Sequence, residues 1–438
     1  MSDITKENKK TDTLNINYKP KGTQDIFGKK KEVFLFIRDT FFQVANNFNF
    51  EYIETPIFEF ANIFLSSGQS SDIVNKQMYE FKDKNDRLFA LRPEGTAPVI
   101  RAINENKLYL ENNKFFYFGP MFRYERPQKG RYRQFFQAGI EHINVDNNLI
   151  KLEVLDFANQ LLKRLDLSQD TTLKINYLAT VEQRNLYSHK LKNYLLPFKD
   201  QLSPISQTRL EINPLRILDE KLDSDKDFIK NAPKLKDFYT QEQQSEFEQI
   251  QKLLKQNNIN FEVDDLLVRG LDYYDNLVFE FISESQYLGT KSTIIAGGCY
   301  NGLFSRFSGP DISGLGFAMG VDRIAEILVN NTKLFKDFFL DFYILSLNEA
   351  EFADVIKLAS NLRNNNFRVD FNKKLFNSFA KAFKSASKMK AKYLIFKEKN
   401  QNSNMWTIKD TKTSQNIEIS EEILHFPDIL KILQEKFN

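Results

Sequence analysis

Residues 114–143 constrain this chain more than any other stretch. Two aromatic-rich runs, FFYFGPMFRYE (115–125) and RQFFQAGIEHINV (133–145), flank a polar, turn-forming stretch, which is the pattern of a long antiparallel hairpin. Across its tip, FRYERPQKGRYRQF (122–135) packs five cationic side chains and two carboxamides into fourteen positions. A fold built on this hairpin must set that charge either in solvent or against an anion.

Strand alternation puts Arg133, Phe135, Gln137, Gly139 and Glu141 on one face and Phe136, Ala138 and Ile140 on the other. Burying Gln137 and Glu141 unpaired would cost about 2–7 kcal/mol per polar group. That face therefore lines a polar cavity or is solvated, as on many antiparallel sheets. Arg123 arrives from the opposite strand, where it can approach Gln137, and its planar fork suits phosphate or carboxylate. This favours a cavity holding an anion.

Elsewhere, residues 30–48 place apolar side chains at helical spacing, and YIETPIFEF (52–60) reads as a strand interrupted by Pro56, suited to a sheet edge or partner surface. KLEVLDFANQLLKRLDL (151–167) is helical, and the Lys-, Gln- and Asn-rich stretch from about 180 to 262 reads as an inserted helical module. Strand character returns in LLVRGLDYYDNLVFEFI (266–282) and KSTIIAGGCYNGLF (291–304), followed by the amphipathic helix GVDRIAEILV (320–329). After residue 336, strand and helix alternate through FLDFYILSL, EAEFADVIKLASNLRNN, FRVDF, the basic KKLFNSFAKAFKSASKMK, KYLIFKE and MWTIKDT. This is a separate small α/β domain of about 100 residues, and 438 residues in all exceed a single core.

With 61 basic and 58 acidic side chains and a net charge of +3, any nucleic-acid surface must be a local patch. One cysteine, Cys299, and three histidines rule out an intramolecular disulfide and a Cys/His zinc cluster, and a reducing cytoplasm follows as the expectation. No apolar run approaches the roughly 20 residues of a membrane span. MSDITKENKKTDTLN lacks a signal-peptide pattern, so residues 1–17 are expected to form a disordered tail. The heavy use of Phe, Lys, Asn, Ile and Tyr, residues with A/T-rich codons, is discounted as a general sign of chemistry.

Two phosphate-loop signatures fail. KGTQDIFGKKK (21–31) has its glycines one residue too far apart, with Lys30 where Ser or Thr would meet magnesium; GLGFAMG (314–320) has Met319 in place of the third glycine. LFALRPEGT (88–96) sets Glu94 and Thr96 after a stiff Arg-Pro step, unless Glu94 simply pairs with Arg92. In LVRGLDYY (267–274), Arg269 and Asp272 bracket a glycine before two tyrosines, as a functional pair or a structural buried ion pair. Arg323 falls in the first turns of its helix, where a cation opposes the macrodipole and a nearby anionic ligand would offset it. KKLFNSFAKAFKSASKMKAK interleaves lysine with phenylalanine, giving a face toward phosphates or a merely solvated one.

FGPMFRYERPQKGRYRQFFQAGIE, GLGFAMGVDRI, LVRGLDYY, AGGCYNGL, NPLRILDEK and LRPEGT together resemble the class II aminoacyl-tRNA synthetases, specifically the histidyl-tRNA synthetase family, over roughly residues 18–437. The resemblance implies an α+β fold with an antiparallel six-stranded sheet flanked by helices. It implies a catalytic domain over 18–335 with its insertion at about 180–262, an α/β anticodon-binding domain over 336–438, and a homodimer. The implied activity joins L-histidine to ATP, giving histidyl-adenylate and pyrophosphate, and then moves histidine to the 3′ end of tRNA(His).

By the same resemblance Arg123 holds the ATP α-phosphate, Phe135 and Arg323 sandwich adenine, Arg131 meets the γ-phosphate end, and Glu125 lies near the nucleotide and its Mg2+, held mainly by ATP. Glu94, Thr96 and Gln137 receive the α-amino end of histidine; Arg269 bridges its carboxylate and the α-phosphate; Glu141 and Tyr274 read the imidazole nitrogens; Tyr273 and Tyr300 complete the pocket. Arg123, Arg269 and Gln137 form the catalytic set, Gln128 meets the tRNA acceptor end, and Lys373, Lys374 and Lys381 serve tRNA binding.

Where the family usually reads GGRYDGL, this chain has Cys299 and Asn301, each change removing one charge of opposite sign. The two positions are taken to interact in relatives and to have changed together. A synthetase-like regulatory subunit of histidine biosynthesis, without tRNA charging, is the first alternative. Such proteins typically lack the C-terminal domain and the catalytic arginine, both present here as the stretch after residue 336 and Arg269. The second, a non-catalytic RNA-binding protein on the same fold, would have no reason to keep Glu94, Arg123, Gln137, Glu141 and Arg269 together.

Overall fold

The structure, a computed structural model, describes residues 18–67, 76–145, 147–218, 220, 222–267, 273–330, 340–376, 378–398 and 405–437. The expected tail at 1–17, Arg269 and Asp272 lie outside the described residues. The chain divides into two compact units, Met1–Asn331 and Thr332–Asn438.

Unit 1 carries β1 (Glu51–Tyr52), β2 (Phe58–Phe60), β3 (Tyr79–Lys82), β4 (Leu88–Leu91), β5 (Lys114–Phe122), β6 (Gln134–Ile143), β7 (Thr171–Tyr177), β8 (Glu262–Val263), β9 (Tyr274–Ser283), β10 (Ser292–Tyr300) and β11 (Gly314–Gly320). Eight of them form one sheet in the order β1-β5-β6-β11-β10-β9-β7-β8. Its six central strands pair antiparallel throughout. The two-residue strands β1 and β8 add parallel margins. Pro56, which cannot donate to a ladder, separates β1 in this sheet from β2, which joins β4 and β3 in a second, three-stranded sheet.

The hairpin forms as its alternation requires, but its register corrects one expectation. The β5–β6 ladder runs on to Phe122↔Gln134, and Gln137 lies opposite Gly119. Arg123 therefore faces Arg133, to whose carbonyl its N–H donates at 2.9 Å, rather than Gln137. The pairing sets the register, and it leaves Gln137 deeper in the sheet than the arginine.

One face of the large sheet is dry. The helix Gly28–Asn47 buries Ile37, Phe41 and Val44, and Phe41 meets Phe116 of β5 and Phe157 of the helix Asn148–Arg164 with ring centres 6.0 and 5.8 Å apart. Between β7 and β8 the chain is helical, as composition suggests, and the helices Val181–Leu195 and Gln241–Gln256 each begin with a capping box, Thr180/Gln183 and Thr240/Gln243. Glu246 ties this segment to the sheet by taking the Lys151 ammonium and the Tyr177 hydroxyl, the latter at 2.7 Å. The opposite sheet face carries the polar residues described below.

Unit 2 is an α/β domain with β12 (Leu340–Leu345), β13 (Val369–Phe371), β14 (Ala391–Phe396), β15 (Met405–Asp410) and β16 (Asn416–Ser420) in the order β13-β12-β14-β15-β16. Its helices are Phe352–Asn364, Phe379–Ser387 and Ile429–Phe437. Among the described residues the basic stretch is helical over Phe379–Ser387, and Asn372 holds a turn before it by donating to the carbonyls of Ser346 and Lys374 at 2.8 and 3.0 Å. Lys373, Lys374 and Lys381 are exposed.

Candidate active site

On the polar face of unit 1 lies a cavity of about 370 Å³. β6 supplies Phe135 and Gln137, the loop between β5 and β6 supplies Arg123, Glu125, Arg131 and Tyr132, and the helix Val321–Leu328 supplies Asp322 and Arg323. β9 and β10 add Tyr274, Glu280 and Thr293; Tyr273, Glu94 and Thr96 close one end.

Three guanidiniums converge on one end of it. The Arg123 Nε donates to the Pro93 carbonyl at 2.8 Å, which holds its guanidinium 5.1 Å from the centre of the Phe135 ring. Burial pulls its pKa down from the ordinary arginine value. Arg323 is pulled down to about 10, by burial first and then by the charges of Arg131 and Arg123; it donates to the Thr293 carbonyl. Arg131 stands 3.6 Å from Glu125. Like charges this close, two of them half-buried, favour binding a polyanion that neutralises them.

The other end is acidic and hydroxylated. Glu94 accepts the backbone N–H groups of Thr96 and Ala97 at 2.7 and 2.8 Å, which seats its carboxylate on the N-terminus of the helix Thr96–Glu105, although burial still raises its pKa. It does not pair with Arg92, whose guanidinium goes to the carbonyls of Thr55 and Pro120 at 2.7 and 2.9 Å. Gln137 Oε1 is buried with no hydrogen-bond partner. Behind the wall, Glu141 accepts the hydroxyls of Thr96 and Tyr300 at 2.7 and 2.8 Å, and burial pushes its carboxyl up to about 8.

Glycines make room for this inner layer. A Cβ on Gly316 would lie 2.1 Å from Glu141 Oε2, and one on Gly314 2.1 Å from the Tyr300 ring. GLGFAMG, which fails as a dinucleotide loop, is thus the strand that seats an acid and a phenol.

Of the residues singled out in the sequence, Glu94, Thr96, Arg123, Glu125, Arg131, Phe135, Gln137, Tyr273, Tyr274 and Arg323 all line the cavity. Glu141 and Tyr300 stand one layer behind. Gln128 sits at the loop tip, exchanging backbone hydrogen bonds with Arg131 at 3.0 and 2.9 Å. Arg133 turns away, its guanidinium 4.1 Å from the centre of the Tyr124 ring.

A family profile described as histidyl-tRNA synthetase matches residues 22–324. The chain belongs to the histidyl-tRNA synthetase family. It is 45% identical over 426 residues to a histidine–tRNA ligase of Mesomycoplasma hyopneumoniae (strain 7448), covering 97% of this chain and 99% of that one. It is 42% identical over 423 residues to one from Ureaplasma urealyticum serovar 10, covering 95% and 99%. Among solved structures, apo histidyl-tRNA synthetase of S. aureus superposes with a TM-score of 0.75 at 30% identity, over 93% of this chain and 98% of that one.

Two further residues of this end of the sheet carry no family motif, one in the wall and one behind it. Glu280, in the apolar run VFEFI, accepts the Thr293 hydroxyl at 2.7 Å and faces the cavity. Tyr117 is fully buried near Glu94, Glu141 and Tyr274, in space kept open by Gly95 and Gly139, where a Cβ would lie 2.2 and 2.4 Å from its ring. An acid amid large apolar residues and glycines at matched positions were the available signals.

The two departures from GGRYDGL meet at Asp275. Cys299 pairs with it across β9 and β10, and Asn301 hydrogen-bonds its carboxyl through side chain and backbone. Burial pushes the Asp275 carboxyl up to about 6, and its Oδ1 has no partner. Burial also pushes the Cys299 thiol up to about 12, which suits a packing residue and not a nucleophile.

Proposed function

We propose that the chain is a histidine–tRNA ligase whose cavity carries out both steps. The observation that carries this reading is the joining, in one cavity, of a three-guanidinium end with a buried end of Glu94, Gln137 and the Glu141–Tyr300 layer. ATP lies along the arginines, with adenine between Phe135 and Arg323 and the α-phosphate at Arg123. Histidine takes the other end, its α-amino group at Glu94, Thr96 and the unpartnered Gln137 oxygen, its imidazole at Tyr273 and Tyr274 with Glu141 and Tyr300 behind. Arg269 remains the proposed bridge between the histidine carboxylate and the α-phosphate.

A histidine carboxylate oxygen attacks the α-phosphorus and the bond to the β-phosphate oxygen breaks, releasing pyrophosphate. Charge grows on the phosphate oxygens, where preorganised guanidiniums are most effective. No protein nucleophile takes part. The terminal ribose hydroxyl of tRNA(His) then attacks the carbonyl carbon and AMP leaves. Glu125 and Glu280, two carboxylates beside the arginines, suit Mg2+, which takes one or two protein oxygens and fills its shell from phosphates and water. It would neutralise charge on the pyrophosphate.

Selectivity for imidazole is assigned to Tyr273 and Tyr274, to which an amino acid without ring nitrogens offers no polar partner at this buried end, with the Glu141–Tyr300 pair behind them. Unit 2 is assigned to the anticodon, with Lys373, Lys374 and Lys381 on exposed positions, and Gln128 to the acceptor end. A cytoplasmic homodimer completes the proposal. It is supported by the apolar face of the three-stranded sheet, where Phe58, Phe60 and Phe81 are 53%, 49% and 42% exposed. No helix among the described residues is long and apolar enough to cross a membrane. Histidine-dependent exchange of pyrophosphate into ATP, followed by transfer to tRNA(His), tests the reading; exchange without transfer would favour the regulatory alternative, and no exchange would refute the enzyme.

A further inference from the structure

KGTQDIFGKKK lacks the spacing of a phosphate loop, yet its residues reach the nucleotide end of the cavity. Phe135 and Arg323, the two sides of the proposed adenine slot, lie beyond the last pair of the β6–β11 ladder, Gln137↔Gly320. Past that point no backbone pairing joins the two sides. Their spacing must come from something else.

Residues 22–30 supply it. The Gly22 carbonyl accepts the N–H groups of Arg133 and Gln134 at 2.7 and 3.3 Å, just before Phe135. Just after it, the Phe136 N–H donates at 2.7 Å to Asp322, the neighbour of Arg323, and the other Asp322 oxygen takes the Gln24 amide. One turn along the same helix, Glu326 Oε1 accepts both the Lys30 ammonium at 2.7 Å and the Tyr132 hydroxyl at 3.0 Å. Lys30 also reaches Gln24 Oε1 at 2.6 Å and stands 5.3 Å from the centre of the Tyr132 ring. With the Lys30 and Glu326 side chains only 25% and 15% exposed, this ion pair is shielded from solvent more than a surface pair.

We propose that Gln24 and Lys30 are positioning residues that hold the helix bearing Arg323 against the strand and loop bearing Phe135, and so set the width of the nucleotide slot. This rests on the reading that adenine occupies that slot. Neither residue lines the cavity; both act through Asp322, Glu326 and Tyr132. A purely structural role, fastening the first helix to Val321–Leu328, would alter stability and affect both substrates alike. Slot-setting weakens ATP and spares histidine, whose end of the cavity these contacts do not reach.

The test is pyrophosphate exchange by the full chain, with ATP and histidine varied separately and thermal unfolding measured alongside. Lys30→Met should raise KM for ATP about tenfold and leave KM for histidine within about twofold, since a misplaced binding partner costs the substrate it orients. Lys30→Arg, which can still bridge Glu326 and Gln24, should recover most of the loss. Gln24→Ala, which keeps the Lys30–Glu326 pair, should raise KM for ATP about threefold and decides the matter if Lys30→Met does not fold. Exchange in the unmodified protein with an unchanged KM for ATP in the folded variants, or with both KM values moving together, overturns this inference alone. No exchange in the unmodified protein removes the functional reading and the inference with it.

Discussion

Replacing Glu141 by glutamine tests the buried end of the site. Its carboxyl is fully buried and accepts two hydroxyls, yet burial pushes it from 4.5 up to about 8. Because the folded value is raised, the native state holds more protons than the unfolded chain between these values, and the group's effect on stability worsens as pH rises through about 4.5 to 8. At 1.36 kcal/mol per pKa unit, the 3.5-unit difference between 8 and 4.5 costs about 5 kcal/mol above pH 8 and about 3 kcal/mol at pH 7. Glutamine keeps the shape without the charge. Like the protonated carboxyl that predominates below about pH 8, it needs one of the two hydroxyls to accept instead of donate, so that cost is common to both proteins. Glu141→Gln should therefore be more stable than the parent by about 3 kcal/mol at pH 7, gain further toward pH 8, and keep less than about 1 kcal/mol of that advantage near pH 5. Thermal unfolding from pH 5 to 8.5 reads this as a Tm gap that opens by several degrees, at roughly 2–4 °C per kcal/mol. Histidine-dependent exchange should meanwhile fall, with KM for histidine up by about tenfold or more. A Tm gap that does not change with pH would refute the account of Glu141 as an acid destabilised by its burial.

Asn301→Asp sets a second carboxylate against Asp275 and should cost about 1–3 kcal/mol; adding Asp275→Asn should restore the Tm, and additive losses in the double variant would show that the two side chains do not share this charge. Removing charge at Lys373, Lys374 and Lys381 should weaken tRNA binding and flatten its log–log salt dependence by about two, with pyrophosphate exchange intact, whereas Arg269→Ala should cut exchange and spare tRNA binding. Equal effects on both activities from either change would contradict the division of labour between the units. Phe60→Glu on the exposed aromatic face should shift the protein to monomer in analytical ultracentrifugation, and an unchanged mass would remove that face from the dimer.

Much of the site was legible because motif and strand alternation carry chemistry directly. Phe135 and Gln137 sit two apart on β6 and both line the cavity, as period-2 geometry demands. Arg123 is legible as a candidate anion ligand, but its partner across the hairpin is not, since register depends on where the ladder ends. Glu280 and Tyr117 are harder to place, because the lone acid in VFEFI and the glycines Gly95 and Gly139 gain meaning only once strand pairing shows what each one faces.

KGTQDIFGKKK shows where the division falls. The sequence by itself determined the hairpin and the alternation of its faces, since both depend on spacing along the chain, and its motifs carried the resemblance to a synthetase family. Only the tertiary structure decided that Lys30 meets Glu326, 296 residues away, that Glu141 lies behind the wall, and that Cys299 and Asn301 share Asp275. These depend on which strands pair and on how far each side chain is withdrawn from water, and both are set by packing across the sheet.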